Sequence, residues 1–235
     1  MTTITLSGIS TDFKTYFKEP IEFDSGEAAL LSLETYNSIP NITEINNKFK
    51  YSNDGGITWK IIILPPDAYE YRQIADEIKM QMIKNNDVGE DIYFINFDIR
   101  RLSSVIEINH KDYTIDFGCE NSIGPTLGFT DQIIGEGIHK SPNIVNISHI
   151  NTILVNVDFI SHSYLNEDKY PILYKFYPKV APGYKIVQTP QNLIYLPVNR
   201  NPLNEIRLWF TDQDRKPLDL QGEKLTVTIH IREKK

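Results

Sequence analysis

Glu205-Ile-Arg-Leu-Trp-Phe-Thr211 and Leu225-Thr-Val-Thr-Ile-His-Ile-Arg232 decide the fold class. In the first stretch Ile206, Leu208 and Phe210 alternate with Arg207, Trp209 and Thr211. In the second, Leu225, Val227, Ile229 and Ile231 alternate with Thr226, Thr228, His230 and Arg232. A period of two sends successive side chains to opposite faces of a strand, so each stretch is a strand with one buried face. A slip of one residue in the second would bury His230 and Arg232, which fixes its register. With the connection Asp212 to Glu223, the two are expected to form a C-terminal β-hairpin from Glu205 to Arg232.

Upstream, strand signals recur from about residue 20. Ile21 and Phe23 alternate with acids, and Ala28 to Leu33 is a short apolar run. Phe49 and Tyr51 alternate with lysines, Asn53-Asp-Gly-Gly56 is a turn that glycine's positive φ permits, and Trp59 to Leu64 resumes as a strand, so this segment reads as a hairpin. Ile92 to Ile99, Val105 to Asn109 and Tyr113 to Phe117 read as strands, with Ile106 and Ile108 opposite Tyr113 and Ile115. Ile153 to Phe159, Ile172 to Tyr177 and Leu193 to Val198 follow. The last is bracketed by prolines and suits a sheet edge, because proline cannot donate to the ladder. Whether Met1 to Lys18 is ordered is not legible.

One helix stands out. Pro65-Pro66 stops a strand, Asp67 occupies an N-cap position with Glu70 three residues on, and Tyr71, Ile74, Ile78 and Met82 form one apolar stripe. The stripe reads as core packing. The expected fold is mainly β: a jelly-roll-type two-sheet β-sandwich with one inserted α-helix at about residues 67–84. A single domain is expected over 1–235. The Gly- and Pro-rich stretch 124–142 is where it would subdivide, into 1–123 and 143–235.

The 235 residues suffice to bury a sizeable core, and 40% hydrophobic with 23% charged residues excludes general disorder. The net charge of −7 argues against a nucleic-acid coat and against sequence-specific nucleic-acid binding, since phosphate contacts need clustered Lys and Arg. Lys234-Lys235 reads as a solvated tail. Cys119 is the single cysteine, so no internal disulfide or cysteine-based zinc site forms, and a reducing compartment is expected. The N-terminus Met1 to Leu6 reads as no signal peptide, and no run reaches the ~18 apolar residues of a membrane helix. The sequons at Asn41 and Asn146 then read as accidental.

No chemistry-bearing motif emerges. His110, His139, His149, His162 and His230 show no helical metal-pair spacing; His149 and His162 flank one strand, and His230 lies on a solvent face. Asp212-Gln-Asp214 lacks the Gly and distal Glu of a calcium loop and reads as a polar turn. Glu34, Asp98 and Asp158 are scattered carboxylates, and Cys119 has no neighbour to activate its thiol. The chain is expected not to be an enzyme, with no catalytic, cofactor-binding or metal residues and no cofactor.

The segment Asn204 to Ile231 (strand, Asp-rich turn, Pro217, a hydrophobic residue, Gly222-Glu223, then an alternating strand) resembles the ending of the minor capsid (penton) proteins of Polinton-type DNA transposons, adintoviruses and virophage-like elements. Tyr195-Leu-Pro-Val198, the Pro182-Gly183 turn, Asn37-Ser-Ile-Pro40, and Asp116-Phe117 with Leu127-Gly-Phe129 look similar too. The resemblance is densest in the last 80 or so residues. Where family members often show Gly in the final turn, this chain has Arg215.

The resemblance implies a jelly-roll virion subunit that forms homopentamers, closes icosahedral vertices beside the major capsid protein of the same element, and is made in the host cytoplasm or nucleus. It brings no catalytic residues. A ring needs heterologous contacts, expected from a rim drawn from both ends of the chain. No membrane contact is expected. The alternative reading is a β-sandwich binding module for a receptor or glycan, with Tyr164 to Tyr170 as its loop.

Overall fold

The structure, a computed structural model, describes residues 1–87, 93–98, 101–161 and 163–234, with 93–98 described as backbone. The chain begins with β1 (Thr2–Gly8), β2 (Asp12–Ile21) and β3 (Gly26–Tyr36). Its middle carries β4 (Lys48–Ser52), β5 (Lys60–Ile63), α1 (Tyr71–Lys84), β6 (Tyr93–Asp98), β7 (Ser103–Ile108), β8 (Thr114–Asp116), β9 (Ile133–Ile134) and β10 (Gly137–Lys140). Then come β11 (Ile153–Val157), β12 (Tyr164–Leu165), β13 (Asp168–Lys169), β14 (Ile172–Phe176), β15 (Lys185–Gln188), β16 (Leu196–Pro197), β17 (Leu203–Thr211) and β18 (Leu225–Glu233). The fold is mainly β and of jelly-roll sandwich type, with one helix among the described residues. Two compact units divide it: Met1–Ile39 with Ile150–Lys235, and Pro40–His149.

The first unit is the sandwich. Sheet I runs β1-β18-β3-β15, with β16 also on β3, and sheet II runs β14-β11-β17-β2. The chain changes sheet between β1 and β2, β2 and β3, β14 and β15, β16 and β17, and β17 and β18. The last change corrects the expected hairpin from Glu205 to Arg232, because β17 and β18 do not pair. β17 lies between β11 and β2, and β18 lies between β1 and β3. The alternation was a sound guide to which face is buried, and it carries no information on which strand is the neighbour. The connection Asp212 to Lys224 is no tight turn; it carries buried Leu218 and Leu220 into the core side of the unit.

The N-terminal segment supplies the missing partners. Thr2 to Gly8 pairs residue by residue with Ile231 to Leu225, and Asp12 to Ile21 pairs along β17. Ile4 and Leu6 thereby join Val227, Ile229, Val155 and Leu208 in one buried cluster drawn from both sheets. Burying an aliphatic side chain of this size stabilises by about 1.5–3 kcal/mol. Leu196-Pro197 sits on the margin of sheet I, where its proline suits it.

The second unit holds sheets β5-β4-β8-β9 and β10-β7-β6 with α1. The hairpin β4–β5 forms as expected, Lys48 opposite Ile63 and Tyr51 opposite Lys60. The expected pairing of Ile106 and Ile108 with Tyr113 and Ile115 does not form: β7 pairs with β6 and β10, while β8 pairs with β4 and β9. Helix α1 starts at Tyr71, later than expected, and its N-cap is Glu70 rather than Asp67. The Asp67 backbone is committed to a bridge with Ile42, and Gln73 Oε1 accepts the Glu70 N–H at 2.7 Å, a capping box one turn on. Ile74, Ile78 and Met82 are buried against Phe49, Ile62 and Leu64, as the stripe implied.

The stretch 124–142 does not mark the division between units. Ile123, Leu127, Phe129 and Ile134 are buried in the second unit, and the Phe129 ring stacks on Phe117 at 5.1 Å. Glycine and proline there shape an irregular but packed segment. At Gly128 the φ of +82° and a would-be Cβ only 2.4 Å from the Asn143 carbonyl oxygen exclude other residues.

Two predictions follow from these placements. Leu6→Ala lowers stability by about 2–4 kcal/mol in urea unfolding of the full chain, while Thr5→Ala on the outer face costs about 0.5 kcal/mol or less. Equal, small losses would show that β1 is not docked in solution. Gly128→Ala costs roughly 2–4 kcal/mol, from left-handed strain and the carbonyl clash; an unchanged unfolding midpoint would refute that conformation.

Candidate assembly surfaces

The residues singled out by type are not brought together. His110 lies on an exposed turn with Nδ1 3.8 Å from Asp112, His139 Nε2 meets the Gly135 carbonyl at 2.7 Å, and His149 is exposed. His162 lies outside the described residues, as do Lys235 and the Asp98 side chain. Among the described residues no three of His, Cys, Asp and Glu converge on a point. Glu34 is bridged by Lys185 at 2.5 Å and Asp158 by Arg200 at 3.1 Å, each on a different sheet's flank. Burial, then the Asp116 carboxylate, pushes the Cys119 thiol up, away from reactive thiolate. No helix among the described residues is long and apolar enough to cross a membrane.

Several polar candidates turn out to be structural. Asp212 is buried, and its Oδ1 accepts the N–H groups of Asp214 and Lys216, both at 2.8 Å. That geometry closes a turn and leaves no open ligand sphere. Arg215, at the position where glycine was expected, has a φ of +66°. Its guanidinium offsets that strain by bridging Asp168 at 2.5 Å and covering the Tyr170 ring. The loop Tyr164 to Tyr170 is thereby a clamped hairpin, β12 against β13. The Asn41 amide exchanges hydrogen bonds with the Tyr69 backbone at 2.7 and 2.8 Å, which occupies the sequon side chain. His230 is half-buried, with Nδ1 2.7 Å from the Tyr195 hydroxyl, and Arg232 covers that same ring.

What the sandwich offers instead is open edges. β1 and β2 end sheets I and II on one side, and β15 and β14 end them on the other. The first side exposes Ile9 and Tyr16, at 74% and 70%; the second exposes Tyr36, Tyr177, Tyr184 and Val187. Composition hinted at these through the tyrosine count, but only the strand order gathers them. On sheet II's outer face the Arg207 guanidinium grips Asp12 through Nε at 2.9 Å and Nη2 at 2.5 Å. That hydrogen bond holds the Asp12 carboxyl below its ordinary range.

The second unit carries an outward sheet face of different character. Ile61 and Ile63 on β5 point away from the core beside Trp59, next to Lys48 and Lys50 on β4. Ile61, Lys50, Asp116 and Ile133 form one row across the sheet. Behind the sheet, Asp87 closes the end of α1. Its carboxylate accepts the Tyr51 hydroxyl at 2.5 Å, Asn53 Nδ2 at 2.9 Å, and Lys60 Nζ at 2.7 and 2.5 Å. Burial alone would raise the Asp87 carboxyl, but hydrogen bonds from Lys60 and Tyr51 and the Lys60 charge outweigh it and hold it low. Burial and the Asp87 acceptor push the Tyr51 phenol up.

A carboxyl depressed in the fold contributes stability above its unfolded pKa of about 3.9, and loses it as pH falls through the lower folded value. Asp87→Asn is expected to cost roughly 1.5–3 kcal/mol at pH 7 and to flatten the stability loss below about pH 4. Thermal melts of wild type and variant between pH 2.5 and 7 check this. Parallel curves would mean Asp87 is not ionised in the network.

No protein-family model matches the chain, and no curated protein matches it in sequence. Among solved structures, the crystal structure of the selenomethionine-labelled mavirus penton protein superposes with a TM-score of 0.52. The superposition covers 98% of this chain and 98% of that one, at 10% sequence identity. At that identity the likeness is one of fold: this chain has a fold similar to that of the mavirus penton protein along its whole length.

Proposed function

We propose that the chain is a structural virion protein, a minor capsid or penton subunit that closes icosahedral vertices as a homopentamer. The observation that carries this reading is the end-to-end likeness of fold to a penton protein, both units included. The strand order fits it. A sandwich with two unlike open sides cannot satisfy both in a two-fold dimer, whereas head-to-tail contacts close a ring. The exposed tyrosines at one side and Ile9 with Tyr16 at the other supply the apolar rim such contacts need. The acidic charge of −7 suits a protein–protein role better than genome packaging.

On this reading the partners are other copies of the chain and the major capsid protein of the same element, and the protein resides in the virion after production in the host cytoplasm or nucleus. The parent would be an element of the Polinton, adintovirus or virophage kind, and the chain performs no catalysis. Light scattering behind size exclusion is expected to find species of about five 27.1-kDa chains, alone or on mixing with the major capsid protein. A strict monomer at high concentration that forms no complex with that protein overturns the reading. Reproducible saccharide binding by such a monomer would favour a binding module instead.

A further inference from the structure

The outer face of sheet β5-β4-β8-β9 is apolar and basic at once. Ile57, Ile61 and Ile63 are exposed at 82%, 53% and 51%, with Trp59 beside them. Lys48 and Lys50 make no ion pair among the described residues, and Asp116 is the single carboxylate in the central row, its Oδ1 already accepting the Gly118 N–H at 2.7 Å. Contiguous exposed apolar side chains of this kind mark interaction sites. Unpaired lysines among them select a partner surface that carries carboxylates.

The same unit presents such a surface. Asp67, Tyr69, Asp76, Glu77 and Met80 line a shallow groove of about 220 Å³ along the first turns of α1. Met80 is 53% exposed, and none of the three carboxylates has an ion-pair partner among the described residues. The Asp67 and Glu77 charges reach the Tyr69 phenol and, with burial as the larger cause, push it up. Helix α1 packs Ile74, Ile78 and Met82 on the inner side of the sheet, so the groove and the basic face look in different directions from one body. Two unlike, complementary patches on one chain make a heterologous contact, the kind that closes rings.

We propose that neighbouring copies join through this unit: the basic, apolar face of β5-β4-β8-β9 on one copy takes the acidic flank of α1 from the next. The proposal rests on the self-association proposed above, and it adds a joint made by the second unit alone. The contact is made by side chains, with Trp59, Ile61 and Ile63 against Met80 and Tyr69, and Lys48 and Lys50 against Asp76 and Glu77.

Sedimentation of the full chain tests it, with Lys48→Glu/Lys50→Glu, with Asp76→Lys/Glu77→Lys, and with all four substitutions together. Each pair alone is expected to weaken association by at least about tenfold, and the fourfold exchange to restore it, which also shows that the variants fold. Wild-type rings unaffected by either pair would overturn this joint and leave the ring reading standing. Loss by both pairs without rescue, or loss confined to binding of the major capsid protein, would also overturn it. A wild type that stays monomeric, alone and with the major capsid protein, would overturn both.

Discussion

Everything in the sandwich depends on the pairing of the chain's first strands with its last. Among the described residues β18 is the only strand neighbour of β1, and β17 that of β2. Thr2 stands opposite Ile231, and Asp12 opposite Trp209. The chain between β3 and β11 folds into a unit with its own buried cluster, and the sandwich must therefore be stitched across that insertion. The seam is not a matter of backbone bonds alone. The Asp12–Arg207 fork and the Lys14–Glu205 pair line its outer face, while Leu6, Leu208 and Val227 fill its inner one. Exposed ion pairs contribute roughly 0–1 kcal/mol each, so the buried inner face decides both the stability of the seam and, through its alternation, the register.

The polar residues divide by the same logic. Where a carboxylate is buried, as at Asp87 or Asp212, it is spent on backbone, hydroxyl and amine donors that hold a helix end or a turn in place. Where lysines and carboxylates make no ion pair among the described residues, as at Lys48, Lys50 and Asp76, they stand beside exposed apolar side chains on the outer surface of the second unit. Exposed apolar side chains beside charged ones are the make-up of contact surfaces.

Much of this was legible in the sequence, and the misses share one cause. Period-two alternation named the buried faces of β17 and β18 correctly, and period-three-and-four spacing named the buried stripe of α1. Both patterns report solvent on one side of an element and are silent on which element covers the other. Hence the hairpin from Glu205 to Arg232 and the pairing of Ile106 with Tyr113 were wrong in partner but right in strand. The Thr3, Ile4, Thr5, Leu6, Ser7 alternation that marks β1 was present as well, but short and threonine-rich. Asp67 was a plausible cap by composition, and only its bridge to Ile42 disqualifies it. The exposed apolar and charged surfaces were the least legible part. They are made of residues from distant stretches, Tyr36 with Tyr184, or Lys50 with Ile133, that only strand order brings side by side.

That same order fixes when the surfaces can exist. The second unit is one continuous stretch, Pro40 to His149, and its contacts close over short loops. The sandwich cannot close until β17 and β18 are available, because loop closure must span nearly the whole chain before β1 gains a partner. Until then β1 and β2 are unpaired strands, the kind that aggregate. β2 bears Lys14, Lys18 and Pro20, residues that discourage strand addition by a foreign chain. In the finished sandwich β2 remains an edge, so those residues stay where they are needed. On the proposed ring reading, contacts between copies at this side would be made by side-chain packing rather than shared β-structure. A chain so built can expose long edges and pass through a long unpaired phase while its edge strand discourages strand addition.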